Sequence, residues 1–344
     1  MRNPPPEVVA SWPKPNYVDP EYQGPAMTII GIVFLAISVV VVCLRLWVRV
    51  YMRRSSGWDD WVMVATMPFV VGITVTTILG THYGWGLHIW DVKPEWIAPS
   101  RLTSWLSQLQ FIIIMSLVKL SILASYLRIA TSKTFVRLTW SLIALNIAWG
   151  IAFMFTLVFT CMPVHHYWTA LADQRCGNES SRVLAGTITN IITDILVLVL
   201  PMPTLWKLQL PAREKVVLIA LMSLGLIACG ASVVRAYYMY VSVDLTYDVT
   251  WMGYYIWVWN AIEVNLAVIC ASVPTLRPFI RRYLPYLGFR HSSRSRYGTH
   301  DERLQTAIYK SQTIHQVTTQ GPGDAHSSTE ALREEAFPMT NRII

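Results

Sequence analysis

Charge is what this chain is short of. Asp, Glu, Lys and Arg make up 14% of its 344 residues, where a soluble domain carries roughly 25%. That scarcity excludes an ordinary water-soluble globular chain. Also missing are a phosphate-binding glycine loop, a nucleophile elbow and a His-Glu-x-x-His run, so phosphoryl transfer, serine-type hydrolysis and zinc-peptidase chemistry have no residues to stand on. No cofactor and no metal ligand set is expected. No strand-type alternation competes with the long apolar runs, and no internal repeat stands out, which weighs against an inverted-repeat transporter.

What is present is apolar. The hydrophobic share is 53%, with 15 Trp and 16 Tyr suited to the two membrane–water interfaces. A spanning helix needs about 20 mostly apolar residues. Seven runs qualify: Ala26–Val48, Trp61–Leu79, Ser104–Tyr126, Leu138–Phe159, Leu184–Leu205, Val216–Tyr240 and Met252–Val273. The fold class is therefore an all-α membrane protein, a seven-transmembrane helix bundle, multi-pass in a plasma membrane or endomembrane. The N-terminus is polar and Pro-rich without a secretory signal peptide, so the first run is expected to act as a signal-anchor. The lipid bilayer is the first partner implied.

The net charge of +8 reads as orientation rather than as nucleic-acid binding. Arg49, Arg53 and Arg54 follow the first run; Arg128, Lys133 and Arg137 the third; Lys207, Arg213 and Lys215 the fifth; Arg277, Arg281 and Arg282 the seventh. The alternate connections hold Lys93 and Arg101, then Arg175 and Arg182, then none. By the positive-inside rule the N-terminus lies outside and the C-terminus in the cytoplasm. The chain divides into an extracellular segment 1–25, a seven-helix domain 26–283 and a cytoplasmic disordered tail 284–344, rich in Ser, Thr, Arg and Glu. Asn178-Glu179-Ser180, the one glycosylation sequon, then falls on an outside loop, as do Cys161 and Cys176. Fifteen residues apart on the oxidising side, these cysteines are expected to form a disulfide. Cys43, Cys229 and Cys270 sit inside apolar runs and read as small buried hydrophobes.

Ionisable groups inside spans are costly and usually face the bundle interior. Lys119, Asp194, Arg235 and Glu263 do not belong in hydrocarbon. Thr187, Asn190, Asp194 and Pro201 fall on one face of the fifth span at spacings of three, four and seven, and Asn260 lies one turn before Glu263. Depth lets Lys119 pair with either Asp194 or Glu263, and Arg235 is near enough to the outer end to snorkel. One reading is a structural ion pair binding helices together. The other is a polar cavity for a ligand, a proton or a switch. The seventh span has no Lys, so a retinal Schiff base has no anchor there. In the outside loop Gly84 and Gly86 permit a tight turn, and His88 is either a loop histidine or a ligand contact. Asp59 or Asp60 reads as an N-cap of the second span, with a cytoplasmic switch contact as the alternative.

Together these stretches resemble the fungal rhodopsin-like seven-helix integral membrane proteins. The resemblance covers about Ala26 to Tyr283. Its first half rests on Asp59-Asp60-Trp61, Gly84-x-Gly86-x-His88, Lys119-x-Ser121, Tyr126-Leu127-Arg128, and Cys161-x-Pro163 with Trp168 and Cys176. The second half adds Asp194 with Leu200-Pro201-x-Pro203, Leu205-Trp206-x-Leu208, Arg213-x-Lys215, Gly225, Ser232, Arg235, Glu263 and Pro274-x-Leu276-Arg277-Pro278. The family includes receptor-like proteins and members encoded in secondary-metabolite clusters. Some members carry a Cys-rich extracellular domain, which the short Cys-free N-terminal segment is expected to lack.

The resemblance fixes architecture rather than activity; the outside loops, basic inner connections and polar core point to a receptor-like sensor of a small hydrophobic ligand, without retinal since the seventh span has no Lys, acting through a cytoplasmic partner such as a G protein. The alternative is a membrane-embedded acid–base cyclase, with Asp194 and Glu263 as its acids, or an accessory protein of a natural-product pathway. Enzymatic activity is left open, with a non-catalytic role preferred. Transport is a third class.

Overall fold

The structure, a computed structural model, describes residues 4–52, 54, 57–129, 132–169, 176–203, 212–276 and 279. Arg53, Arg175, Leu205-Trp206, Lys207, Leu208, Arg277, Pro278, Arg281, Arg282 and the tail lie outside the described residues, as do the side chains of Arg213 and Lys215.

Seven long apolar helices carry the fold: α1 (Ala26–Trp47), α2 (Trp58–His82), α3 (Pro94–Ile129), α4 (Lys133–Val158), α5 (Glu179–Val199), α6 (Ala212–Tyr240) and α7 (Val249–Ser272). Among the described residues there is no β-strand beyond isolated bridges. Consecutive helices pack against one another and α7 returns to α1, closing a ring; α3 also reaches across to α5 and α7. In the most apolar stretch, half of α7 and 44% of α3 are buried, against 22% in α1, α4, α5 and α6. The third and seventh helices therefore form the centre, α2 is intermediate at 39%, and α1, α4, α5 and α6 turn a broad face to lipid.

Local chemistry starts the helices where they start. Ser132 Oγ accepts from Phe135 N at 3.2 Å to cap α4, Asn178 Oδ1 from Ser181 N at 3.3 Å to cap α5, and Asp248 Oδ1 from Trp251 N at 3.4 Å to cap α7. The helices overrun the apolar limits. Helix α3 begins ten residues before Ser104, taking in Lys93's neighbour Pro94 and Arg101. Beyond Trp47 the first helix continues as a π-helical turn, Val48–Met52, which holds Arg49 inside the bundle rather than in a loop. The apolar run marks the membrane; backbone hydrogen bonding carries the helix past it.

Polar side chains along the helices are absorbed by nearby acceptors. Thr66, Thr74, Thr76 and Thr77 of α2 donate to the carbonyls four residues back at 2.8–3.0 Å. Ser38 Oγ donates to Asn265 Oδ1 at 2.7 Å, joining α1 to α7, and Asn146 Nδ2 donates to the Ser116 carbonyl at 2.9 Å, joining α4 to α3. Hydrogen bonds of this kind, together with close packing, hold helices in a solvent as apolar as their own side chains. The expectation of buried thiols fails at Cys43, which is exposed on the outer face of α1; Cys229 and Cys270 are half-buried.

At one end of the bundle Cys161 and Cys176 form a disulfide. The residues before α1 fold over this same end. Tyr22 bridges to Leu87, Gln23 N donates to the Gly86 carbonyl at 3.2 Å, Gln23 Nε2 to the Trp251 carbonyl at 3.1 Å, and Asn16 N to Asp91 Oδ1 at 2.8 Å. Burial, with the neighbouring Tyr254, raises the Tyr22 hydroxyl above its ordinary pKa.

Candidate functional site

Halfway along the bundle the charged side chains meet in one layer. Lys119 of α3 is buried, and its Nζ reaches Asp194 Oδ1 at 3.1 Å. The ammonium also donates to Thr193 Oγ1 at 2.6 Å, Asn190 Oδ1 at 2.8 Å and the Asn190 carbonyl at 3.2 Å. It lies 5.4 Å from the centre of the Trp149 ring. Of the two partners open to Lys119, the structure selects Asp194, because α3 crosses α5 at this depth. Glu263 belongs to Arg235 instead, with Nε to Oε2 at 2.5 Å and Nη2 to Oε1 at 3.3 Å. Arg235 is 4% exposed and stacks 4.3 Å above Phe111. The expectation that it snorkels is thus corrected: a buried carboxylate on α7 is a nearer partner than the interface.

Asn190 joins the two pairs. Its Nδ2 lies 3.1 Å from Asp194 Oδ2 and 3.1 Å from Glu263 Oε1. Two cations and two carboxylates therefore sit in one network across α3, α5, α6 and α7. Each charge has an opposite charge and hydrogen bonds, which is the condition for keeping ions in a medium of low dielectric.

The layer separates two cavities. The larger, about 140 Å³, lies toward the disulfide end. Arg235 and Asn260 form part of its wall, with Phe111, Trp149, Phe153 and Trp257 as aromatic lining. Near its other limit Arg182 Nη2 donates to Gln108 Oε1 at 2.9 Å, and Gln108 Nε2 donates to Tyr167 Oη at 3.3 Å. Tyr167 donates in turn to Glu179. Burial and then the Glu179 carboxylate push the Tyr167 hydroxyl far above its ordinary pKa, so it stays a donor. The second cavity, about 70 Å³, touches Lys119, Asp194 and Glu263 from the opposite side, together with Cys229 and Cys270.

A second charged cluster lies toward the end opposite the disulfide. Arg45, fully buried in α1, donates from Nε to Asp60 Oδ1 at 3.0 Å, from Nη2 to Asp59 Oδ2 at 3.0 Å, and from Nη1 to the Ala271 carbonyl at 2.7 Å. Arg49 Nη2 adds a 2.9 Å bond to Asp59 Oδ2, and Ser125 Oγ one of 3.0 Å. Arg128 stands 4.0 Å from Asp59 Oδ1. The N-cap of α2 is Gly57 rather than either aspartate; Asp60, at the third helical position, accepts from Gly57 N at 3.1 Å. Both aspartates nevertheless serve mainly as counter-ions that lock α1, α2, α3 and α7 together. Sequence reasoning missed Arg45. The available signal was an Arg one turn before Arg49, in a run of four Val and two Leu, facing a chain that soon offers two adjacent carboxylates.

His88, at the disulfide end, is a structural centre. Its ring lies between Trp90 at 4.5 Å and Trp251 at 3.9 Å, nearly parallel to both. Nδ1 is 2.5 Å from Asp248 Oδ2, and Nε2 is 3.8 Å from Glu21. Gly84 and Gly86 take φ of +95° and +100°, the left-handed region that the tight turn requires. Their Cα hydrogens face Val92 and Tyr254, where a Cβ would come within about 3 Å. Among the described residues no group of His, Cys, Asp and Glu is arranged to hold a metal ion.

A sequence model described as "Fungal rhodopsin domain" matches residues 44–282. Among curated proteins, the chain is 28% identical over 262 residues to "Receptor GIN3" of Arthrobotrys oligospora, covering 74% of this chain and 62% of the receptor. It is 28% identical to "SAT4 family membrane protein" of Emericella nidulans, over 39% of this chain and 33% of that protein. Identity to "Polyenoic acids biosynthesis gene cluster protein Ba17b" of Metarhizium anisopliae is 21%, over 85% of this chain and 83% of that one. The chain thus spans less than two thirds of the first two relatives. No solved structure matches it.

Proposed function

We propose that this chain, which belongs to the fungal rhodopsin domain family, is a receptor-like sensor of a small ligand. The carrying observation is the arrangement along the bundle: an aromatic-lined cavity with Arg235 in its wall, a single charged layer, and the Arg45 cluster beyond it. Helix α7 belongs to all three, through Asn260, Glu263 and the Ala271 carbonyl. A ligand that shifts Arg235 against Glu263 strains one helix whose far end is bonded to Arg45. Sensing of this kind needs two helix arrangements with different affinity for the ligand. The working residues are Lys119, Asn190, Asp194, Arg235, Asn260 and Glu263. The disulfide end, with Asn178 as glycan acceptor, faces outside, and the opposite end faces a cytoplasmic partner such as a G protein. The similarity to a protein named as a receptor supports this reading.

The test is hydrogen exchange on the full chain in lipid nanodiscs, screened with small apolar compounds. Binding in the cavity is expected to change exchange at the α7 end near Ala271 by severalfold. Compounds that bind and leave that end unaltered would overturn the sensor.

A second reading, an enzyme or accessory protein of a natural-product pathway, is favoured by the similarity to the cluster protein along nearly the whole chain. Asp194 and Glu263 face the smaller cavity. Against acid catalysis, each already accepts from a cation and from Asn190, so a substrate would have to displace those donors to reach either carboxyl. Membranes converting polyene or epoxide intermediates to cyclised products, with loss of turnover in Asp194→Asn, would establish it.

A further inference from the structure

We infer that the larger cavity takes an uncharged, single-ring-sized molecule with a hydrogen-bond acceptor, such as a ketone or lactone, at its end near the charged layer. The inference rests on the sensor reading and names the chemistry of its ligand.

Size comes first. An engineered apolar cavity of about 150 Å³ accepts benzene, and this one measures about 140 Å³. Phe111, Ile112, Trp149, Phe153 and Trp257 give it flat apolar walls suited to an unsaturated ring.

Charge comes second. Every ionised group reaching the cavity is already matched. Arg235 is paired with Glu263, and Arg182 lies 3.8 Å from Glu179. A carboxylate ligand entering here would compete with Glu263 for Arg235 and leave an unmatched negative charge in low dielectric. An ammonium ligand would leave an unmatched positive one. Both are heavily penalised where the cation at that end, Arg235, is already paired.

Hydrogen bonding comes third. Polar groups remain that no described residue satisfies. Asn260 is 93% buried, lines the cavity, and makes no side-chain hydrogen bond among the described residues. Ser242, almost fully buried in the same wall, has a hydroxyl without a partner among the described residues. Arg235 uses Nε and Nη2 on Glu263, leaving Nη1 without a partner among the described residues. Buried polar groups are normally satisfied. An amide N–H and a guanidinium N–H at the same wall call for a neutral oxygen acceptor. Ser242, farther along α6 toward the disulfide end, can serve a second polar group.

The probes are acetophenone, ethylbenzene, benzoate and benzylammonium, matched in size and differing in charge and acceptor. Binding to the full chain in nanodiscs is read by tryptophan fluorescence, as the difference from a Ser107→Phe variant whose ring fills the cavity. Thr187→Phe serves as an independent filled control. The subtraction removes partition into lipid. Acetophenone is expected to bind about tenfold more tightly than ethylbenzene, and at least tenfold more tightly than either charged probe. Asn260→Leu should erase the preference for acetophenone while retaining ethylbenzene. Benzoate or benzylammonium binding as well as acetophenone would overturn this inference and leave the sensor standing. So would an unchanged preference in Asn260→Leu. No difference between wild type and both filled variants for any probe would overturn the inference and the cavity on which the sensor depends.

Discussion

Lys119 and Asp194 meet at 3.1 Å across the seam between α3 and α5, and Asn190 passes that pairing on to Glu263. The two ion pairs are therefore not independent. Disturbing one changes the hydrogen bonds available to the other.

Replacing Asp194 with Asn removes one charge and strands another. Lys119 keeps Asn190 and Thr193 as acceptors but loses its counter-ion, and breaking a buried pair in this way costs about 3 kcal/mol or more. The expected outcome is a clear drop in thermal midpoint in detergent. The double variant Lys119→Met/Asp194→Leu, which removes both charges, should recover most of the loss. A single variant as stable as wild type would contradict the pairing.

Arg45→Met is expected to cost a similar amount, about 3 kcal/mol or more. It leaves Asp59 and Asp60 to Arg49 and deprives the Ala271 carbonyl of its donor. Hydrogen exchange should rise at the end of α7 as well as at the start of α2. Change confined to α2 would mean that the link to α7 is unimportant.

Cys161 and Cys176 close a loop of 15 residues. Reduction, or Cys161→Ser, is expected to destabilise the protein by about 3 kcal/mol on the chain-entropy estimate for a loop of that length. Thermal unfolding with and without a membrane-permeant reductant measures it, and Cys161→Ser should show no further effect of reductant.

His88→Ala removes the ring held between Trp90 and Trp251, and with it the contact toward Glu21. The segment before α1 should loosen. Chymotrypsin is expected to cut after Tyr17 roughly tenfold faster, because proteolysis follows local opening. An unchanged cleavage rate would show that Gln23 and Asn16 hold the segment without His88.

Gly253→Ala places a Cβ 2.1 Å from the Trp85 ring. The indole must move, at a cost of about 1–3 kcal/mol for overpacking, and Trp85 lines the larger cavity. The expected result is altered tryptophan emission and weakened probe binding.

The seven helices were legible because hydrocarbon imposes a length and a composition that no other fold requires. Their ends were less so. Arg101 and two prolines near the start of α3 interrupt the apolar run without interrupting the helix. At the centre, Lys119, Asp194 and Glu263 stood out as charges without water, but depth alone could not choose between two carboxylates on different helices. That choice depends on which helices cross. Arg45 went unseen for the opposite reason: one Arg near a run's end looks the same whether it reaches headgroups or aspartates. The N-terminal segment carried no apolar signal, since Gln23 holds it through its backbone N–H to the Gly86 carbonyl and its side-chain amide to the Trp251 carbonyl, which composition does not encode.

The hollows on either side of the charged layer have a bearing on permeability. They lie on opposite sides of one layer of side chains, in which Arg235 lines one hollow, its partner Glu263 lines the other with Lys119 and Asp194, and Asn190 bonds to Glu263 and Asp194. The expectation is that this layer, rather than the full length of the bundle, holds back protons and ions. Trimming both cations to alanine would join the chambers into a bore, and vesicles carrying that variant should lose a pH gradient that wild-type vesicles keep.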